Sequence, residues 1–264
     1  MTIIKNNIIY DQNHQLATDI YFPNDTTTNT KILIFWHGGG WFRGNKESVK
    51  EFGISFANAG FMTFIPEYRL APKHIYPAAH DDALTFVNWL LESHYTDDDD
   101  QKNIFQIGAS VGGNMAIYLA GKFGFPTVTW SAPVEFSDWF KNHIDTKPSP
   151  VAKEEFGLID RHQIAASFYK YFAQTYAGTA NEAVLAKINA KSFDLTNLGP
   201  LLMINSADEL TPITSVLDFI NYLSTKNLPS QLMVIPGHGH AMDYAKEYLD
   251  ESLDYLFQIA KRHR

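Results

Sequence analysis

Cysteine is absent from the 264 residues, which excludes disulfides, thiolate zinc sites and thiol catalysis. Cations are in the minority: 21 Lys and Arg against 29 Asp and Glu leave a net charge of −8. Non-specific nucleic-acid binding needs clustered Lys and Arg, so no nucleic-acid partner is expected. No apolar run is long enough to span a bilayer, and the opening MTIIKNNIIYDQNHQ lacks the apolar stretch of a signal peptide. The expectation is therefore a cytoplasmic chain without a membrane partner. Repeats and low-complexity linkers are missing too. The acidic run Asp97 to Asp100 has no glycine-punctuated calcium-loop spacing around it and reads as solvated loop, with no metal expected.

What is present is globular. Hydrophobic residues make up 45% of the chain and include 19 Phe, 13 Tyr and 5 Trp, ample material for a large core and an apolar pocket. The length suits one α/β domain over 1–264. Short apolar runs predict strands at Ile3–Tyr10, Leu16–Phe22, Lys31–Trp36, Phe61–Ile65, Ile104–Ile107, Thr127–Ser131, Leu201–Asn205 and Gln231–Ile235. The first two lie close together and suggest an antiparallel start. The later ones are continuous and apolar, as strands buried on both faces are. Between them, helices are predicted at Glu47–Ala59, Ala78–His94, Asn114–Phe123, Thr214–Thr225 and Ala241–Lys261. The last carries a stripe of Leu249, Leu253, Leu256 and Ala260, with Phe257 beside it, that reads as core. This alternation implies a mostly parallel sheet of about eight strands with helices on both faces. From Pro133 to about Asn197 the rhythm breaks into a helix-rich stretch, read as an insertion over one end of the sheet.

Gly108-Ala109-Ser110-Val111-Gly112 is the first stretch that carries chemistry. G-x-S-x-G alone is a weak pattern, but here an apolar run ends at Ile107 and a helical run starts near Asn114. A strand–turn–helix with small residues around Ser is a nucleophile elbow, which lifts the Ser Oγ above the sheet. A phosphate-binding turn fits less well, because the spacing is not G-x-G-x-x-G and no Lys follows. A Ser hydroxyl needs a base, and the base needs an orienting carboxylate. The order Ser, acid, His that goes with such an elbow is met downstream. LLMIN ends in SADELTP, which offers Asp208 and Glu209, and QLMVI ends in PGHGHAMDY, which offers His238 and His240. Asp208 is preferred, being shorter and closer to the strand end, and His240 is preferred as the base. His14, His74, His80, His94, His143, His162 and His263 read as ordinary surface or packing histidines.

Four blocks stand together: HGGGW at 37–41, EYRLAP at 67–72, GASVGG at 108–113, and DEL at 208–210 followed by PGHGHAM at 236–242. In order and spacing they resemble the α/β-hydrolase superfamily, and within it the carboxylesterases similar to hormone-sensitive lipase. The resemblance covers nearly the whole chain. It implies Ser110 as nucleophile, His240 as base and then acid, and Asp208 as its orienter. The family pattern P-G-x-G-H-G-F aligns so that its His falls on His240. Asp243 follows the His in the chain, out of the order Ser, acid, His, and is not read as the acid. Negative charge on the attacked carbonyl oxygen calls for prearranged backbone donors. Val111, next after the nucleophile, supplies one, and the loop after the third strand should supply the others. The resemblance points to Gly39 and Gly40, with Gly38 possible. His37 precedes Ser110 and is read as an anchor of that loop, Arg69 as a structural ion-pair partner and Tyr68 as packing.

The chain departs from the commonest family pattern. The elbow reads GASVGG rather than GDSAGG, Lys73 stands where Glu is usual after YRLAP, and the helical cap that precedes the first strand is absent or very short. These changes leave the expected triad intact and bear on subfamily and acyl-pocket size. The expected activity is hydrolysis of short-chain carboxylic esters through a Ser110 acyl-enzyme, with no cofactor, on a fold with an inserted lid near 135–195. HGGGW followed by Arg43 and Lys46 also resembles arylformamidases, which makes amide hydrolysis the first alternative. A hydrolase fold that binds a ligand without catalysis is the second.

Overall fold

The computed structural model describes residues 2–24 and 30–262; His263 lies outside them. Strands form where the short apolar runs fall: β1 (Ile3–Asp11), β2 (Leu16–Phe22), β3 (Lys31–Trp36), β4 (Phe61–Pro66), β5 (Ile104–Ala109), β6 (Thr127–Trp130), β7 (Leu201–Ser206) and β8 (Ser230–Ile235). They make one eight-stranded sheet in the order β1-β2-β4-β3-β5-β6-β7-β8. β2 is antiparallel to both its neighbours, and every other pairing is parallel.

Strand periodicity explains why the central runs are apolar throughout. Side chains alternate between faces, so Ile32, Ile34 and Trp36 of β3 enter one core while Leu33 and Phe35 enter the other. Helices cover both faces. On one lie α1 (Lys50–Asn58), with Phe52 and Phe56, and the last helix, α9 (Leu249–Arg262), with Leu253, Leu256 and Ala260. On the other lie α2 (Ala78–Glu92) and α3 (Val111–Phe123), joined near β7 by α8 (Ile213–Thr225). Among the described residues no helix is long and apolar enough to cross a membrane.

Two helix boundaries differ from the sequence expectation. α3 begins at Val111, directly after Ser110, and not near Asn114. The expected helix over Ala241–Lys261 is broken: a single 3-10 turn occupies Ala241–Asp243, and α9 starts only at Leu249. The turn is opened by the His240 backbone N–H, which donates to Asp243 Oδ2 at 2.8 Å and closes a local capping box. Such capping contacts fix where a helical turn starts.

Between β6 and β7 the chain leaves the sheet for α4 (Ser137–Asn142), α5 (Ala152–Phe156), α6 (Arg161–Ala177) and α7 (Glu182–Leu185). Aromatic contacts fasten this segment to the loop after β3. Trp41 stacks on Tyr176 with ring centroids 4.3 Å apart, and Phe42 meets Tyr171 edge-on at 5.2 Å.

Beneath that contact His80 is enclosed between α2, α3 and α6. The Asn114 side-chain amide donates to Pro133 O and Ile188 O, so its Oδ1 faces His80 Nε2, at 3.0 Å, and takes that N–H. Nδ1 then accepts from the Tyr176 hydroxyl at 2.8 Å. This arrangement needs the neutral ring, and burial pushes the His80 pKa down from 6.5 to about 4. Below pH 6.5 the unfolded chain therefore takes up a proton here that the folded chain refuses, so stability falls on acidification towards pH 4. His80→Gln removes that proton uptake. Its stability deficit against the parent, measured by urea unfolding, should narrow by about 2 kcal/mol between pH 7 and pH 5; parallel curves would show that His80 is not held neutral.

Candidate active site

The parallel pairing brings five strand ends to one edge of the sheet. Trp36 pairs with Gly108, Ala109 with Trp130, Trp130 with Ile204, and Ser206 with Ile235. Whatever follows these residues is gathered there, which is where open parallel sheets hold ligands.

After β5 comes Ser110, at φ 51° and ψ −123°, a strained conformation for a residue with a side chain. Its N–H donates to Trp130 O at 2.7 Å, and its carbonyl accepts from Gly113 at 2.8 Å, closing the turn. Gly112 is required: a Cβ there would lie 2.2 Å from Trp36 O. The elbow thus presses directly on the end of β3.

After β8 comes His240. Its Nε2 lies 2.9 Å from Ser110 Oγ and its Nδ1 lies 2.5 Å from Glu209 Oε2. Asp208, the sequence-preferred partner, is not on the imidazole. Past β7 the chain bends, with Ala207 N–H on Ile235 O at 2.8 Å and Asp208 N–H on Gly237 O at 3.2 Å. Asp208 is turned outward, where it ion-pairs with Arg161 at the start of α6, and that guanidinium lowers its pKa. Glu209 turns inward, and its extra methylene spans the gap to His240.

Glu209 has no side-chain exposure. Its second oxygen, Oε1, accepts from Ser131 Oγ at 2.9 Å, Ser206 N–H at 2.9 Å and Asn205 Nδ2 at 3.2 Å. Ser131 Oγ also accepts the Ala241 N–H at 2.9 Å and stands 2.8 Å from the Tyr244 hydroxyl. Sequence reasoning missed Ser131, Asn205, Ser206 and Tyr244. Ser131 had one signal, since it is the last residue of the strand predicted at Thr127–Ser131.

The loop after β3 carries Gly38, Gly39 and Gly40. Gly38 lies against Ser110, since a Cβ on it would come within 3.1 Å of Ser110 Cβ. Gly39, at φ 115°, admits no side chain, because a Cβ would stand 2.0 Å from Arg43 O. Its carbonyl accepts from Phe42 and Arg43 at 3.2 and 3.1 Å, which curls the loop. None of the turn, loop and cap hydrogen bonds formed by the described residues uses the N–H of Gly38, Gly39, Gly40 or Val111. His37 is an anchor: its Nδ1–H donates to Gly38 O at 2.8 Å, its ring stacks on Tyr68, and Tyr68 OH donates to His37 O at 2.8 Å. Burial drives its pKa down to about 4. Arg69 is held by Asp82, with Nε 2.8 Å and Nη2 2.6 Å from Oδ1.

A cavity of about 380 Å³ opens over this edge. The three glycines, Ser110 and His240 line one side, and Phe168 and Phe172 of α6 face them. His238 does not touch Ser110; it lines a neighbouring cavity.

Over 257 residues the chain is 25% identical to an ethyl acetate hydrolase of Pseudomonas putida, covering 95% of this chain and 79% of that protein. It is 30% identical over 112 residues to carboxylesterase NlhH of Mycobacterium tuberculosis, a match covering 42% of this chain and 35% of that one. Among solved structures, an esterase of Pyrobaculum calidifontis superposes with a TM-score of 0.72 at 23% identity, covering 98% and 83% of the two chains. The Francisella virulence factor BioJ does so with 0.75 at 18%, covering 97% and 85%. These likenesses share the fold seen here. A family profile described as the alpha/beta hydrolase fold matches residues 33–243, and the chain belongs to that family, on the side of the carboxylesterases similar to hormone-sensitive lipase.

Proposed function

We propose that the chain hydrolyses short-chain carboxylic esters as a serine hydrolase, with Ser110 as nucleophile, His240 as base and acid, and Glu209 as the group that orients His240. The observation that carries this reading is the unbroken chain from Ser110 Oγ through the His240 ring to a fully buried carboxylate. The names of the relatives agree with it.

In the proposed reaction Ser110 Oγ attacks the ester carbonyl carbon while its proton passes to His240 Nε2. The carbonyl π electrons move to oxygen, where the N–H groups of Gly39, Gly40 and Val111 stabilise them. Collapse expels the alkoxide, which leaves as the alcohol with the proton from Nε2. Water then repeats the sequence on the acyl-enzyme, giving up its proton to His240 and releasing the acid. Glu209 holds Nδ1–H throughout, so that Nε2 stays aimed at the oxygen. The cavity of about 380 Å³, walled by Phe168 and Phe172, suits small apolar acyl groups. The helical segment between β6 and β7 acts as the lid of a single-domain hydrolase, since α6 supplies that wall.

Lys46, which suggested an arylformamidase, is buried against Asp19 and Glu47 rather than facing the cavity. Nothing in its position favours amide over ester substrates. p-Nitrophenyl acetate should be turned over faster than N-formylkynurenine, and the reverse order would refute the ester reading.

Two neighbouring carboxylates give a sharper test. Glu209→Gln should cut kcat on p-nitrophenyl acetate by about a thousandfold or more, whereas Asp208→Asn should stay within about threefold of the parent. A severe loss on Asp208→Asn with a mild one on Glu209→Gln would reverse the assignment. A fluorophosphonate probe should label the folded parent and not Ser110→Ala; an unlabelled parent would point to a silent, ligand-binding hydrolase fold.

A further inference from the structure

Arg43 differs from the other charged groups around the site. Its backbone N–H closes the turn on Gly39 O, so it belongs to the loop that carries the glycine amides. Its guanidinium carbon lies 5.2 Å from the ring centroids of both Phe42 and Phe168. The neighbouring charges are engaged: Arg161 with Asp208, Glu209 with His240, and Asp243 with the His240 backbone. Among the described residues no carboxylate forms an ion pair or hydrogen bond with the Arg43 side chain. A guanidinium braced by aromatic rings keeps its N–H donors in a fixed fork, the geometry that matches a carboxylate.

Position gives that fork a purpose. Arg43 lines the cavity holding Ser110 and also the adjoining one, of about 360 Å³, which His238, Arg161, Ile164 and Leu210 help to enclose. The second cavity reaches His240 but not Ser110. In ester cleavage His240 delivers its proton to the departing alkoxide, so the alcohol part of the substrate lies on the His240 side. The chain as a whole carries −8 and repels anions at long range. A cation left unpaired at this one rim is therefore a local selector.

We infer that the second cavity receives the alcohol portion of the ester and that Arg43 recognises a carboxylate on it, making esters of carboxylated alcohols or phenols the preferred substrate class. This rests on the esterase reading above. Arg43 sets specificity and takes no part in bond making.

The test compares kcat/KM for 4-acetoxybenzoate and phenyl acetate, which differ by one carboxylate on the alcohol side. Monophenyl succinate carries its carboxylate on the acyl side instead. The parent should favour 4-acetoxybenzoate over phenyl acetate, and Arg43→Gln should lower that ratio roughly tenfold, mainly through KM. Arg43→Lys should recover part of it, and added salt should weaken the parent's preference. If Arg43→Gln slows both esters alike and leaves the ratio standing, Arg43 is structural and the inference fails. If the variant instead loses preference for monophenyl succinate, the carboxylate lies on the acyl side and the assignment is overturned. A parent that hydrolyses none of the three and resists fluorophosphonate refutes the esterase reading, and this inference with it.

Discussion

A carboxylate with no solvent exposure is the constraint around which this end of the molecule is arranged. Burying the Glu209 side chain without partners would cost far more than any single contact returns. Ser131, Asn205 and the Ser206 N–H therefore converge on one oxygen and His240 on the other. Ser131 stands just past β6, Asn205 and Ser206 close β7, and His240 lies on the loop after β8. Satisfying one carboxylate thus locks β6, β7 and the loop after β8 into a single alignment. Tyr244 extends the lock, because its hydroxyl donates to Ile204 O at 2.6 Å while standing beside Ser131.

The glycine loop needs a different kind of support, since its own residues have almost no side chains with which to pack. Support comes from below and above. Below, His37 and Tyr68 fix its entry, and Lys46 is drawn into the core to within 3.4 Å of Asp19 on β2. Above, Trp41 lies between the loop and α6, stacked on Tyr176, which in turn holds His80. Preorganised amides stabilise developing charge only if they do not have to move to meet it. The same contacts make α6 a wall of the cavity, so the inserted segment and the loop are one mechanical unit.

Much of this was legible in the sequence, for physical reasons. Strands buried on both faces run nearly apolar, so inner ones such as KILIFW and LLMIN announced themselves, and the more exposed β1 and β8 still carried short apolar runs. An elbow needs small residues at fixed offsets, and that pattern located Ser110. Asp208 against Glu209 was not legible, because adjacent residues differ only in which way they point. That direction is set by the bend after β7 and by what each carboxylate meets, Arg161 of α6 for one and His240 for the other, both far away in the chain. Ser131 was hidden for a related reason. TVTWSAP contains nothing to show that its hydroxyl faces a carboxylate seventy-eight positions downstream.

Backbone strain is concentrated at this edge of the sheet. Seven residues other than glycine have positive φ among those described, and four of them, Trp41, Ser110, Ser131 and Ala241, stand at this edge of the sheet. Each such conformation costs on the order of 1–3 kcal/mol and persists only where its surroundings leave no alternative. The surroundings here are close-packed: β5 is wholly buried, β3 is buried from Ile32 onward, and Phe35 packs on Trp130 while Trp36 packs on Phe86. Ser110 cannot relax without breaking its bond to Trp130 O, and Ser131 cannot relax without abandoning Glu209. The large aromatic core therefore does more than stabilise the fold. It holds four side-chain-bearing residues in conformations they would not adopt alone, and so keeps Ser110 and the His240 ring in contact.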